Sequence, residues 1–171
     1  MSFEIEMFTR GVNYARFARV YYGEPFQSAL VHAINLKERI VRAREQLPDG
    51  KQRFVVYIAP RVELPAIFAS LAHGYAIGYE ETTLYDPVAR CAQSSVETPG
   101  GNLLRLSAET LFSEDASGVH TFINVAVRTK ILGISAAIEK FVANETRKRY
   151  VLVERALQTF MDEGRDLEAT G

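Results

Sequence analysis

The side chains with the chemistry to hold an anion stand where apolar runs end. Arg61 follows Phe54-Val55-Val56-Tyr57-Ile58-Ala59-Pro60, and Arg128-Thr129-Lys130 follow the run from Val119 to Val127. Guanidinium and ammonium groups beside the backbone amides of a following helix would form a phosphate-binding corner. Thr129 adds a hydroxyl donor. Asp86 closes Thr82-Thr83-Leu84-Tyr85 and would place a carboxylate within reach of a ribose or base edge, although Asp86-Pro87 equally reads as a turn. The expected ligand set is therefore Pro60, Arg61, Asp86, Arg128, Thr129 and Lys130, facing a nucleotide-type anion.

Motifs for turnover are missing. There is no GxGxxG for a dinucleotide, no GxxxxGK[ST] phosphate loop and no GxSxG nucleophile elbow. The lone Cys91 has no histidine at a telling spacing and reads as a small hydrophobe. Glu80 and Glu81 read as solvated loop acids before the Thr82 strand, and His32 as a boundary residue. No catalytic residue, metal ligand or cofactor is assigned on these grounds. If the chain is an enzyme, His73 or His120 is the available acid or base.

The elements that would position the ligand set read as an α/β chain. Phe3, Ile5 and Met7 alternate with acids, the period of a strand with one wet face. Tyr14, Phe17, Ala18 and Tyr21 have helical spacing, and a longer helix is expected from Pro25 to Leu47, closed by Pro48-Asp49-Gly50. Lys37, Arg39, Arg42 and Arg44 then lie on its solvated face or line a basic groove. Phe54–Ala59 reads as a strand buried on both faces, Leu64–Ala72 as a helix and Thr82–Tyr85 as a second strand. Together they make a βαβ unit. Pro99-Gly100-Gly101-Asn102 marks a turn, with Leu103–Leu106 as part of an inserted hairpin. Val119–Val127 is another strand, followed by a helix over Ile131–Phe141. A basic turn at Arg147–Arg149 precedes Tyr150–Val153, which reads as a last strand or as helix, and then a helix from Glu154 to Met161. The expected architecture is a Rossmann-like, mostly parallel sheet with flanking helices and a β-hairpin insertion, one domain over 1–164 with a flexible tail over 165–171.

Composition limits the partners. The 171 residues carry 20 basic and 21 acidic side chains, a net charge of −1, which argues against a general DNA-coating surface. A chain of this length buries roughly 70% of its unfolded surface as one domain. No apolar run approaches the roughly 20 residues needed to span a bilayer, and the first residues lack the pattern of a signal peptide. With a single cysteine, these features point to a cytoplasmic protein.

The strand FVVYIAP, the segment ELPAIFASLAHG and the strand TTLYDP resemble the SAVED domains and their CARF relatives, the sensors of bacterial cyclic-oligonucleotide defence systems. PGGNLLRLS and HTFINVAV fit the same order. The resemblance covers about half of the chain. It implies a Rossmann-like sensor that binds a cyclic oligonucleotide in antiviral signalling, and a homodimer, because one copy has room for half of such a site. Two alternatives stand beside it: an enzyme that degrades a cyclic nucleotide or phosphorylated metabolite, and an assembly subunit whose apolar helices pack on a partner.

Overall fold

The computed structural model describes residues 1–62, 78–98, 104–130 and 133–165. In chain order the elements are β1 (Ser2–Arg10), α1 (Tyr14–Tyr21), α2 (Glu24–Ala33), β2 (Leu36–Gln46), β3 (Gln52–Pro60), β4 (Tyr79–Asp86), β5 (Cys91–Glu97), β6 (Leu104–Asp115), β7 (Gly118–Thr129) and α3 (Ser135–Asp162). The strands form one seven-stranded sheet in the order β1-β7-β6-β5-β4-β3-β2. Every neighbouring pair is antiparallel.

This overturns the parallel, Rossmann-like expectation. β3 and β4 lie side by side in opposite directions, with Phe54 opposite Thr83 and Val56 opposite Glu81, so they are not the parallel strands of a βαβ unit. The helix expected over Leu64–Ala72 falls outside the described residues. The misreading has a physical source. Val55, Val56, Ile58 and Ala59 are all buried, so β3 carries the continuous apolar run usual in parallel sheets. The expected insertion is likewise part of the main sheet, in which β5 pairs with a β6 twelve residues long.

The helix expected from Pro25 to Leu47 stops at Ala33. Asn35 takes a left-handed backbone (φ 52°), and the chain returns as β2. Two register shifts, between Leu36 and Glu38 and between Val41 and Ala43, change which residues of β2 face inward. The strict alternation that announces a strand is thereby lost. The two C-terminal segments, by contrast, join into one 28-residue helix, α3.

The sheet curves around α3, with α1 and α2 on the same face. Phe17, Phe26, Val119, Val127 and Leu157 are the most enclosed members of the core between them. Helix α3 also closes an edge of the sheet: Glu154 accepts from Phe8 N (2.8 Å) and Gln158 from Arg10 N (2.9 Å). Those β1 amides would otherwise be open to pairing with another chain. Among the described residues, no helix is long and apolar enough to cross a membrane.

Candidate functional site

Between the concave face of the sheet and α3 lies a cavity of about 770 Å³. Its floor follows from strand register. Val41, Val56, Glu81, Val96 and Leu106 stand opposite one another in a row across β2 to β6. A parallel row runs Phe54, Thr83, Ser94, Ala108 and Val125. Small residues and modest hydroxyls at the centre leave the space, and Ile138, Phe141, Val142 and Val153 of α3 roof it.

Glu81 is the acid in an otherwise apolar row. Burial pushes its carboxyl above the ordinary range, opposed by the Arg39 and Arg149 guanidiniums and by a hydrogen bond from Thr83 Oγ1 (3.4 Å). Thr83 and Ser94 share a hydrogen bond of 2.8 Å. Arg39 reaches in from β2 and is held by α2: Nη1 donates to Gln27 O at 3.4 Å and Nη2 to Gln27 Oε1. Its burial lowers its pKa, and Glu81 counters that. Arg149 comes from the middle of α3 and donates to the Tyr79 hydroxyl. Burial raises the Tyr79 phenol although Arg149 and Arg39 pull it down. Two guanidiniums, a carboxyl, a phenol and two hydroxyls thus share an apolar chamber.

One end is aromatic. Tyr22 stacks on Tyr85 (4.1 Å between ring centroids) and on Phe54 (5.3 Å), and Tyr14 and Tyr85 join their hydroxyls at 2.8 Å. At the other end the lining runs to Pro60, Val62, Gly78, Thr98 and Leu104.

The six residues expected to hold a ligand are not gathered in this cavity. Pro60 lines it; Arg61 donates from Nε to Leu36 O at 3.3 Å and is otherwise exposed. Thr129 N donates to Glu139 Oε1 at 3.3 Å, and Lys130 lies just beyond it. Arg128 points outward from β7 opposite Arg105 of β6. Pro60 and Thr129 do lie at the same end of their strands, β3 and β7, but four strand spacings lie between them, roughly 19 Å along the sheet. Asp86 is at the opposite end, where its carboxylate accepts from Val88 N (3.0 Å) and Ala89 N (2.9 Å) and shapes a turn. His73 lies outside the described residues. His120 stands on the outer face, against Asp115 (3.1 Å) and Phe8. Cys91 opens β5 opposite Asp86 and Leu111. Among the described residues, no cluster of three or more acidic, histidine or cysteine side chains is placed to hold a metal.

The residues that do meet in the cavity have the sequence signature of solvent-facing charges. Local pattern puts Glu81 in a loop, Arg39 on a helix face or basic groove, and Arg149 in a turn. For Glu81 and Arg149 the available signal was phase: each is a charge at a position that its element turns inward.

No protein-family model matches the sequence, and no curated protein matches it. Solved structures do resemble the fold. TTHA0849 from Thermus thermophilus superposes with a TM-score of 0.65 at 14% identity, over 100% of both chains. The di-domain ARO/CYC StfQ from the steffimycin biosynthetic pathway gives 0.63 at 14% identity, covering 96% of this chain and 52% of its own. The di-domain ARO/CYC BexL from the BE-7585A biosynthetic pathway gives 0.57 at 12% identity, covering 94% of this chain and 47% of its own. The chain therefore spans about half the length of these two di-domain proteins. At such identities the likeness speaks for fold: an antiparallel sheet closed over a long C-terminal helix, the helix-grip arrangement, with a hydrophobic cavity between them. The Rossmann-like order behind the SAVED and CARF resemblance is absent, and with it the support for a nucleotide site.

Proposed function

We propose that this chain binds a largely apolar small organic molecule in the cavity beneath α3. The observation that carries the reading is the cavity itself. Its volume of about 770 Å³ suits a ligand of several fused rings or a medium-length chain, and its wall is mainly apolar with a few convergent polar groups. A close-packed core ordinarily holds few voids larger than a water molecule, and a space of this size needs a use. That two proteins of similar fold are ARO/CYC proteins of biosynthetic pathways agrees with a site for an organic molecule.

The test is saturable binding of an uncharged fluorescent probe such as N-phenyl-1-naphthylamine. Ala108 faces the centre of the cavity from β6, so Ala108→Trp should fill it and reduce probe affinity by about tenfold or more, a loss of about 1.4 kcal/mol. The melting temperature of the variant shows that it is folded. Undiminished probe binding in a folded Ala108→Trp protein would place the probe elsewhere and remove the reading.

A further inference from the structure

The cavity is not uniform: its charged groups gather on one side. Arg39 comes from β2, Glu81 from β4 and Arg149 from α3, whereas the walls given by β5, β6 and β7 are apolar or carry small hydroxyls. The other charged residues of the lining are already engaged or at the rim. Arg44 donates to Tyr22 O (2.9 Å) and covers Phe54, Glu145 pairs with Lys148 (2.7 Å), and Glu24 lies at the start of α2.

The guanidiniums of Arg39 and Arg149 are each held from behind. Gln27 fixes Arg39 through its backbone and side-chain oxygens, and Tyr79 fixes Arg149 through its hydroxyl. A guanidinium has five N–H donors. Among the described residues, Arg39 commits two nitrogens to Gln27 and Arg149 one to Tyr79, which leaves donors on both for an acceptor-rich partner. Glu81 lies in the field of both cations. With Glu81 ionised, two positive groups surround one negative group, and a single positive charge remains to be met.

We propose that Arg39 and Arg149, with Glu81 beside them, bind the carboxylate head of an otherwise apolar ligand and so fix which end of that ligand enters first. The proposal rests on the cavity being the ligand site. Guanidinium forks match the two oxygens of a carboxylate in geometry and charge. A phosphate monoester would bring nearly two negative charges against Glu81, and a neutral ligand would leave charged donors buried without acceptors. A monoanion balances the set. Gln27 and Tyr79 are then positioning residues, each aiming one guanidinium.

The experiment compares acids with their neutral esters. Anthracene-9-carboxylate and dodecanoate, an aryl and an alkyl acid, are each titrated beside their methyl esters. The wild-type protein should bind at least one acid more tightly than its ester by about tenfold or more, the effect of one charge-assisted contact. Which acid wins tells an aromatic from a fatty ligand. Arg39→Gln and Arg149→Gln should remove that preference, bringing the affinity for the acid down to that for its ester. Glu81→Gln, which deletes a negative charge of similar shape, should strengthen acid binding, an opposite sign that general loosening of the cavity would not produce. Acid and ester binding with equal affinity would overturn the carboxylate site and leave the cavity reading standing. Failure of all four compounds to bind would overturn the carboxylate site, and the cavity reading with it if N-phenyl-1-naphthylamine also fails to bind. The wild-type comparison needs no variant to fold.

Discussion

Tyr14 and Tyr85 show what a single polar contact contributes in this molecule. Their hydroxyls meet at 2.8 Å inside a cluster of Phe17, Tyr22 and Phe112, and both residues are buried. Burial raises both phenols above their ordinary range; at Tyr14 the hydrogen bond shared with Tyr85 adds to that, and at Tyr85 the same bond opposes it. Arg90 covers the Tyr14 ring at 4.4 Å and pairs with Glu114 (3.2 Å), whose other oxygen accepts from Tyr14 N at 3.1 Å. Removing one hydroxyl strands the other in an apolar place. Tyr14→Phe or Tyr85→Phe alone should each cost about 1–3 kcal/mol, the penalty of a buried group without its partner. The double variant should cost clearly less than the sum, because nothing polar remains unmet. Urea denaturation of the four proteins measures this, and strictly additive losses would mean that the two hydroxyls do not act as a pair.

At the scale of the element, α3 does two jobs that its sequence mixes. Ala143, Val153, Leu157 and Phe160 pack into the core, whereas Thr146 and Arg149 face inward between them where the helix crosses the cavity. That interruption is why the sequence reads as two short helices with a basic turn between. β2 misleads for a related reason: its inward residues include Arg39 and Arg44, and two bulges break its alternation. Where an element faces packed core, as α1 does through Tyr14, Phe17 and Val20, periodicity finds a helix there. Where it faces a cavity, apolar periodicity fails, because the cavity needs polar groups that a core would reject. The second task of α3 is to close the β1 edge. Glu154→Ala removes the acceptor of Phe8 N, so that amide should exchange with solvent measurably faster, with a stability loss of about 1.5–3 kcal/mol for a charged acceptor. Glu154→Gln retains an oxygen and should recover most of the protection. Hydrogen exchange read at Phe8 decides it; unchanged protection in Glu154→Ala would show that Glu154 does not close this edge.

For the whole molecule, most strands and helices were legible as local pattern, but the way they join was not. An apolar run such as Phe54–Ala59 says that a strand is enclosed and is silent on the direction of its neighbours; here the enclosure comes from an antiparallel sheet wrapped around its own C-terminal helix. The cavity follows from that wrapping, and it sets an opposition between binding and stability that pH exposes. Burial raises the Glu81 carboxyl in the folded protein, whereas in the unfolded chain it titrates near its ordinary value of about 4.3. A group whose folded pKa is raised adds its full stability below the unfolded value and loses it as pH climbs through the folded one. Ionising Glu81 therefore weakens the fold from about pH 4.3 upward until its folded-state titration is complete. Asp115 acts the other way and at lower pH. Hydrogen bonds from Ser117, then from His120 and Gly118, hold it at about 2, so its contribution is present above about 3.9 and lost as pH falls through about 2. Glu81→Gln removes the first effect and leaves the second. Denaturation measured from pH 4 upward should give nearly equal stabilities for wild type and Glu81→Gln at the acid end and a growing advantage for the variant toward neutrality. Parallel curves would mean that Glu81 is as well solvated folded as unfolded. A widening gap would identify the carboxyl as a group held in the cavity against the stability of the fold, a cost that natural proteins accept at sites that bind or react.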